Sequence, residues 1–247
     1  MSAYAQPPHA SRAPAQPGID MRRGFDCLLA LVALICLVPL LAVIAAAIWI
    51  ESGGPVFFSQ TRLGQGARRF RLHKFRKFGD RARHGHIQQH GLSVTLRNDP
   101  RMTRVGRLLE RTKLDELPQL WNVVVGEMAL VGPRPESLAF ANCFNGAYRD
   151  VLDHRPGIFG PCQAVFRNES LLYAAVPDPE DFYRNVLFPM KAQIDLAYFA
   201  NRSALSDMAW VIRSVTAIFG WSPLPNFEAS PLDALRTWVQ QFTRGSI

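Results

Sequence analysis

Cysteine is scarce in this chain, with four in 247 residues. Cys27 and Cys36 lie in an apolar run, while Cys143 and Cys162 stand alone without metal-ligand spacing. No disulfide framework is encoded, which fits a cytosolic main body. Acidic residues are also few, 20 against 28 Lys and Arg, for a formal charge of +8. Such an excess points to an anionic partner: phospholipid, phosphorylated substrate or nucleic acid. No nucleic-acid recognition motif or aromatic-basic platform accompanies it, and the basic residues border an apolar segment, so no nucleic-acid partner is expected. Internal repeats are missing, which removes solenoid architectures. A fourth ligand is also missing beside His84, His86 and His90 in the polar stretch 79–92, so these read as solvated loop histidines rather than a zinc site.

What the chain has is unevenly spread. Residues 1–20 are rich in Ala, Pro, Ser and Gln without apolar period, and read as a disordered tail. From Cys27 to Ile50 no charged residue occurs, long enough for about one bilayer crossing. The run is too long for a signal-peptide core and ends in Trp49-Ile50-Glu51 rather than a small-residue cleavage site. Arg22 and Arg23 flank one end; Arg62, Arg68, Arg69, Arg71 and Lys74 crowd the other. Positive charge favours the cytoplasmic side, here at both ends. Pro39 falls mid-run, where it removes a helical hydrogen bond and bends the helix. Each half of about 12 residues would rise only about 18 Å. These facts favour a helix over 21–51, broken at Pro39, that enters and leaves the same leaflet; a kinked spanning helix is the alternative.

The remainder has ample length for a core. Val56–Arg62 and Phe70–Arg76 read as paired strands joined at Gly64-Gln65-Gly66, with basic residues that form either a face for phosphates or anionic headgroups or a solvated strand face. Thr103–Arg111 has helical spacing. Thr112 is a candidate N-cap for a further helix that starts around Lys113 to Asp115 and ends at Gly126. This would put Asp115 and Glu116 at a positive helix end, where they could serve the dipole or hold phosphate chemistry. Phe182–Phe199 and Ser206–Phe219 look amphipathic, joined at Asn201-Arg202-Ser203, and Leu232–Phe242 gives a short C-terminal amphipathic helix. The expected class is α+β: an N-terminal membrane helix, a small β-hairpin and several amphipathic helices at the membrane face, with a catalytic domain over 52–220 and an extension over 221–247.

The chemistry-bearing stretch is Leu114-Asp115-Glu116-Leu117-Pro118-Gln119-Leu120-Trp121-Asn122-Val123, followed by Gly132-Pro133-Arg134-Pro135. A carboxylate nucleophile can split one displacement into two easier ones. Attack on an anionic diphosphate needs charge neutralisation, which arginines and Mg2+ supply. Magnesium takes one or two carboxylates plus phosphate oxygens and water, which Glu116 beside Asp115 suits. Lys74, Arg76, Arg111, Arg134 and Arg155 are the candidate phosphate and nucleotide contacts.

With Gly54-Pro55-Val56-Phe57-Phe58, Gln60-x-Arg62-x-Gly64, Lys74-Phe75-Arg76, Asp99-Pro100-Arg101 and Arg155-Pro156-Gly157-Ile158 in the same order, the chain from Arg22 to Phe219 resembles the bacterial sugar transferases, the monotopic polyprenol-phosphate phosphoglycosyl transferases, in their small catalytic form. The resemblance implies transfer of sugar 1-phosphate from a UDP-sugar to polyprenyl (undecaprenyl) phosphate, initiating polysaccharide or glycoconjugate synthesis. It implies Asp115 as nucleophile of a covalent phosphosugar intermediate, Glu116 with Mg2+, and Pro133, Arg134 and Pro135 on the nucleotide side. It also implies a re-entrant helix at the cytoplasmic face of the inner membrane, with anionic lipids and downstream glycosyltransferases as further partners. Two departures stand out: Val38 precedes Pro39 where relatives often place serine, and Lys77-Phe78 follows Lys74-Phe75-Arg76 where threonine or serine, then methionine, is commoner. A non-catalytic membrane scaffold on the same fold is the alternative function; the intact acidic pair argues against it.

Overall fold

The computed structural model describes residues 21–79 and 99–217, with Thr237, Gln240 and Gln241 beyond them. The expected tail, the three-histidine segment and most of the C-terminal helix fall outside the described residues.

A single long helix, α1 (Met21–Ser52), opens the structure. It is helical throughout, with Pro39 inside it, so the expected break into two half-helices is not seen as an interruption of the helix. The proline withdraws one backbone donor but leaves enough neighbouring bonds for the helix to continue. The body holds α1 at both ends. Near its start, Leu130 N donates to Asp26 Oδ2 at 3.3 Å and Cys27 Sγ to the Val123 carbonyl at 3.3 Å. At its end, Glu51 accepts from the Arg104 and Val105 backbone N–H groups at 2.6 and 2.8 Å. Between these points Ala30, Ala33, Leu34 and Leu37 pack on Phe70, Leu72, Leu120 and Val123, and Ile44 and Ile48 pack on Phe75 and Leu109. The opposite face, including Phe25, Leu28, Val32, Ile35, Val43 and Ile50, is apolar and exposed.

The expected hairpin forms: β1 (Phe57–Leu63) pairs antiparallel with β2 (Arg69–Phe75), with Gly66 at φ 64° in the turn. Helix α2 (Arg104–Thr112) starts at Thr103, whose hydroxyl accepts from Gly106 N. Thr112 is therefore not an N-cap; its hydroxyl donates back to the Leu108 carbonyl at 2.8 Å. Lys113 ends α2 in the left-handed region at φ 62°, and a 3-10 turn, Leu114–Glu116, carries the acidic pair. The next helix, α3 (Gln119–Val124), begins only after Pro118 and ends before Gly126, which sits at φ 82°. The expected helix over the acidic pair is thus a tight turn with its own backbone bonds, outside the short α3.

A second, parallel pair joins β3 (Ala129–Val131) to β4 (Gly157–Phe159). It brings the Gly-Pro-Arg-Pro and Arg-Pro-Gly stretches backbone to backbone. A Cβ on Gly132 would lie 2.2 Å from the Arg155 carbonyl oxygen, and one on Gly157 would lie 2.0 Å from Gly132 N. Only glycine permits that crossing. Gln163, in α4 (Pro161–Val165), staples the crossing by donating to the Gly132 and Gly157 carbonyls at 2.9 and 3.0 Å.

Helix α5 (Pro179–Phe182) passes through a π-type turn, Tyr183–Leu187, into α6 (Phe188–Ala200). Far from amphipathic, α6 buries Phe188, Met190, Ala192, Ile194, Tyr198 and Phe199 together with the charged Lys191 and Asp195. After the expected joint, α7 (Ala204–Thr216) starts with a Ser203–Ser206 capping box. It leaves Leu205, Met208, Ile212 and Val215 exposed.

Candidate active site

Asp115 is 1% exposed at the base of the 3-10 turn. Its Oδ2 lies 3.4 Å from Lys77 Nζ, while its buried Oδ1 has no hydrogen-bond partner among the described residues. Glu116 turns the other way: its Oε1 accepts from Lys74 Nζ at 2.7 Å and lies 3.7 Å from Arg134 Nη2. Neighbouring like charges are tolerated because each carboxylate has its own cation. For Glu116, burial favours the neutral acid, but Lys74, Arg134 and Lys113 outweigh it and hold the carboxyl far below its usual range. Burial pushes the Lys74 ammonium down despite Glu116 and Asp115. At Lys77 burial pulls the same way, yet Asp115, Glu110 and Glu116 prevail and raise it.

Arg134 is half-exposed between buried Pro133 and Pro135. Both prolines are anchored through their carbonyls: Pro133 accepts from Gly157 N at 2.9 Å, and Pro135 lies 3.5 Å from Arg62 Nη1. Rigid φ angles on both sides thus aim the guanidinium at Glu116. A pair of a buried lysine and a partly exposed glutamate lies near Arg134: Lys191 Nζ is 2.5 Å from Glu169 Oε2 and 3.3 Å from the Tyr183 hydroxyl.

A cavity of about 860 Å³ opens beside this cluster. Lys113, Glu116, Arg134, Arg167 and Glu169 line it on the charged side, and apolar residues of α1 and α7 such as Phe25, Leu29, Met208 and Val211 line it elsewhere.

Sequence reasoning placed Asp115, Glu116, Lys74, Pro133, Arg134 and Pro135 here, and the structure brings them together. Arg76 is elsewhere. Because β2 ends at Phe75, its guanidinium swings to the end of α1 and donates to the Ser52 and Gly53 carbonyls at 2.9 and 2.6 Å. Arg111 is exposed at the end of α2 and reaches the site only through its carbonyl, which accepts from Arg167 at 3.1 Å. Arg155 forms no ion pair with either acid among the described residues; its backbone makes the glycine crossing. Lys77, Lys113, Arg167, Glu169 and Gln163 were missed. Lys77 and Lys113 could have been found from their place beside motif residues; the others are brought in by long-range packing.

No cluster of three or more His, Cys, Asp or Glu side chains suited to a metal exists among the described residues. A magnesium ion does not need one, since substrate phosphate and water complete its shell. Glu116, the acid of the pair that lines the cavity, suits such an ion.

The profile described as "Bacterial sugar transferase" matches residues 19–221. The chain is 36% identical over 203 residues to the UDP-N-acetylgalactosamine-undecaprenyl-phosphate N-acetylgalactosaminephosphotransferase of Aeromonas hydrophila, covering 80% of this chain and 43% of that protein. It is 34% identical over 221 residues to the UDP-glucose:undecaprenyl-phosphate glucose-1-phosphate transferase of Xanthomonas campestris pv. campestris, covering 83% and 41%. With exopolysaccharide production protein PSS of Rhizobium leguminosarum bv. phaseoli the identity is 33% over 204 residues, covering 80% and 94%. The chain therefore spans less than half of the first two relatives and nearly all of the third.

Proposed function

Because the chain belongs to the bacterial sugar transferase family, we propose that it transfers sugar 1-phosphate from a UDP-sugar to undecaprenyl phosphate through a covalent phosphosugar on Asp115. Sugar-1-phosphate transfer to this lipid is the activity named in the Aeromonas and Xanthomonas relatives, and exopolysaccharide production is named in the rhizobial one. The observation that carries the covalent step is the state of Asp115: buried, held by Lys77 through one oxygen, without a hydrogen-bond partner at the other among the described residues, and flanked by Leu114 and Glu116, which line the cavity. A carboxylate so held has one oxygen to offer a phosphorus atom.

The residues divide the work as follows. Asp115 Oδ1 attacks the sugar-bearing phosphorus, and nucleoside monophosphate leaves with the electron pair of the broken P–O bond. Arg134, Lys113 and Arg167 face the cavity and neutralise the diphosphate. Glu116, with Asp115 beside it, would hold Mg2+, which when bound supplies further charge neutralisation on the phosphates. The phosphate of the polyprenyl acceptor then displaces Asp115 from phosphorus. The apolar walls on α1 and α7 suit the acceptor's hydrocarbon chain, and the charged side suits its phosphate.

The attachment of both ends of α1 to one body supports a monotopic placement. A straight helix of 32 residues extends about 48 Å. A body gripping both ends and the length between leaves one apolar face for lipid, so we place the catalytic side at the cytoplasmic face of the inner membrane.

The test is nucleoside monophosphate release from UDP-glucose, UDP-galactose and UDP-N-acetylgalactosamine, with undecaprenyl phosphate and Mg2+. One donor should release UMP, with turnover falling at least about 1,000-fold in Asp115→Asn. Full turnover in that variant would overturn the nucleophile assignment.

A further inference from the structure

Each acid of the Asp115-Glu116 pair has a lysine of its own, and the two lysines are held differently. Lys74 leaves from strand β2 and bonds Glu116 at 2.7 Å. Lys77 comes from the chain just past the strand, where its backbone is pinned to the first turn of α2. Its carbonyl accepts from Thr103 N at 3.0 Å. Gly106 lies so close that a Cβ there would come within 2.1 Å of the same carbonyl oxygen. From that fixed point the side chain reaches Glu110 Oε1 at 3.6 Å and Asp115 Oδ2 at 3.4 Å, with only 16% of it exposed. Nothing comparable engages Oδ1, which is buried and without a partner among the described residues.

We propose that Lys77 is the positioning residue of the nucleophile: it holds Asp115 Oδ2 so that Oδ1 alone reacts, and it receives the carboxylate charge when the intermediate breaks down. This rests on the reading of Asp115 as nucleophile. In the first displacement the Oδ1–P bond forms, and the P–O bond to nucleoside monophosphate breaks, the electron pair leaving with the nucleotide. The product is a mixed anhydride in which Oδ2 is a neutral carbonyl oxygen facing Lys77. In the second displacement a phosphate oxygen of the acceptor bonds to phosphorus, the P–Oδ1 bond breaks, and its electron pair returns to the carboxylate.

The two steps depend on Lys77 unequally. During the first, charge leaves the carboxylate, so the ammonium stabilises the ground state more than the transition state and its loss does not slow attack. During the second, charge returns to a group that had none, so the ammonium favours the transition state over the intermediate. Loss of Lys77 therefore slows breakdown more than formation, and the adduct accumulates.

Rapid-quench measurement on the full chain tests this, using the UDP-sugar that supports turnover, labelled in its sugar, and undecaprenyl phosphate. Lys77→Met should form the labelled adduct within a few-fold of the wild-type rate and lose it about 100-fold more slowly. Lys77→Arg should restore breakdown. Equal slowing of both steps in Lys77→Met, without rescue by arginine, overturns the assignment and leaves a merely structural lysine. Unchanged breakdown overturns it as well. If wild type itself forms no adduct, the nucleophile reading falls first and this inference with it, a result distinct from either of the others.

Discussion

Single residues carry the chemistry here through what their partners leave undone. Glu116 has Lys74 and Arg134 on one oxygen, while Asp115 has Lys77 on one and no hydrogen-bond partner on the other among the described residues. Behind them, Asp195 shows the opposite device. Burial, then the nearby Glu136 charge, raises its carboxyl well above the ordinary range, although Lys191 opposes the rise. Its unfolded value is about 3.9. Above that pH the unfolded chain gives up a proton that the native state keeps, so stability falls as pH rises, until the folded carboxyl itself ionises. Asp195→Asn removes this dependence. In thermal melts of purified protein, the asparagine variant should gain on wild type as pH rises above about 4, the unfolded carboxyl's range. A constant difference across that range would show that Asp195 is charged in the fold.

At the scale of elements, the site depends on two backbone crossings that only glycine allows. Gly132 and Gly157 let β3 and β4 present Arg134, and Gly106 lets Lys77 lie on α2. Gly132→Ala should cost several kcal/mol, about 3 or more, or abolish folding, because backbone rather than a side-chain tip blocks the new Cβ. Gly24→Ala, in α1 with open space around it, should be neutral or stabilising by up to about 1 kcal/mol. Paired denaturation curves check both, and equal stability of the two variants would contradict the crossing.

The same elements show how far sequence reading reached. The hairpin was legible because two strand-like runs flank the glycines of the turn, and α1 because no charge interrupts its run from Cys27 to Ile50. The acidic turn was misread as a helix start because Thr112 has N-cap chemistry, while Lys113, at φ 62°, gives no sign of a left-handed turn. Arg76 shares its chemistry with Lys74, and only the end of β2 at Phe75 separates their fates. Lys191 and Asp195 mimic a solvated helix face, yet both are buried, and the open side of α6 is the strip around Gln193 and Ala200. Arg167 and Glu169 reach the cavity through packing between segments distant in sequence, which no local pattern encodes.

At the scale of the whole molecule, α1 is both the candidate membrane helix and a wall of the site. Its inner face is part of the core, its outer face is apolar and open, and its first turns line the cavity beside the acidic cluster. Cysteines introduced at Arg22 and Arg69 should both react with an impermeant thiol reagent only after the inner membrane is opened. Labelling of Arg22→Cys in intact spheroplasts would mean a spanning helix, and the grip of the body on both helix ends would have to be released.

The central claim is that Asp115 carries the sugar phosphate. Its most direct test is the mass of the intact protein after incubation with donor and Mg2+ without acceptor lipid, followed by peptide mapping. The account predicts added mass equal to one sugar phosphate, located on the peptide containing Asp115, missing in Asp115→Asn and discharged by undecaprenyl phosphate. Unmodified protein under conditions where the complete system turns over would contradict it and require direct transfer from donor to lipid.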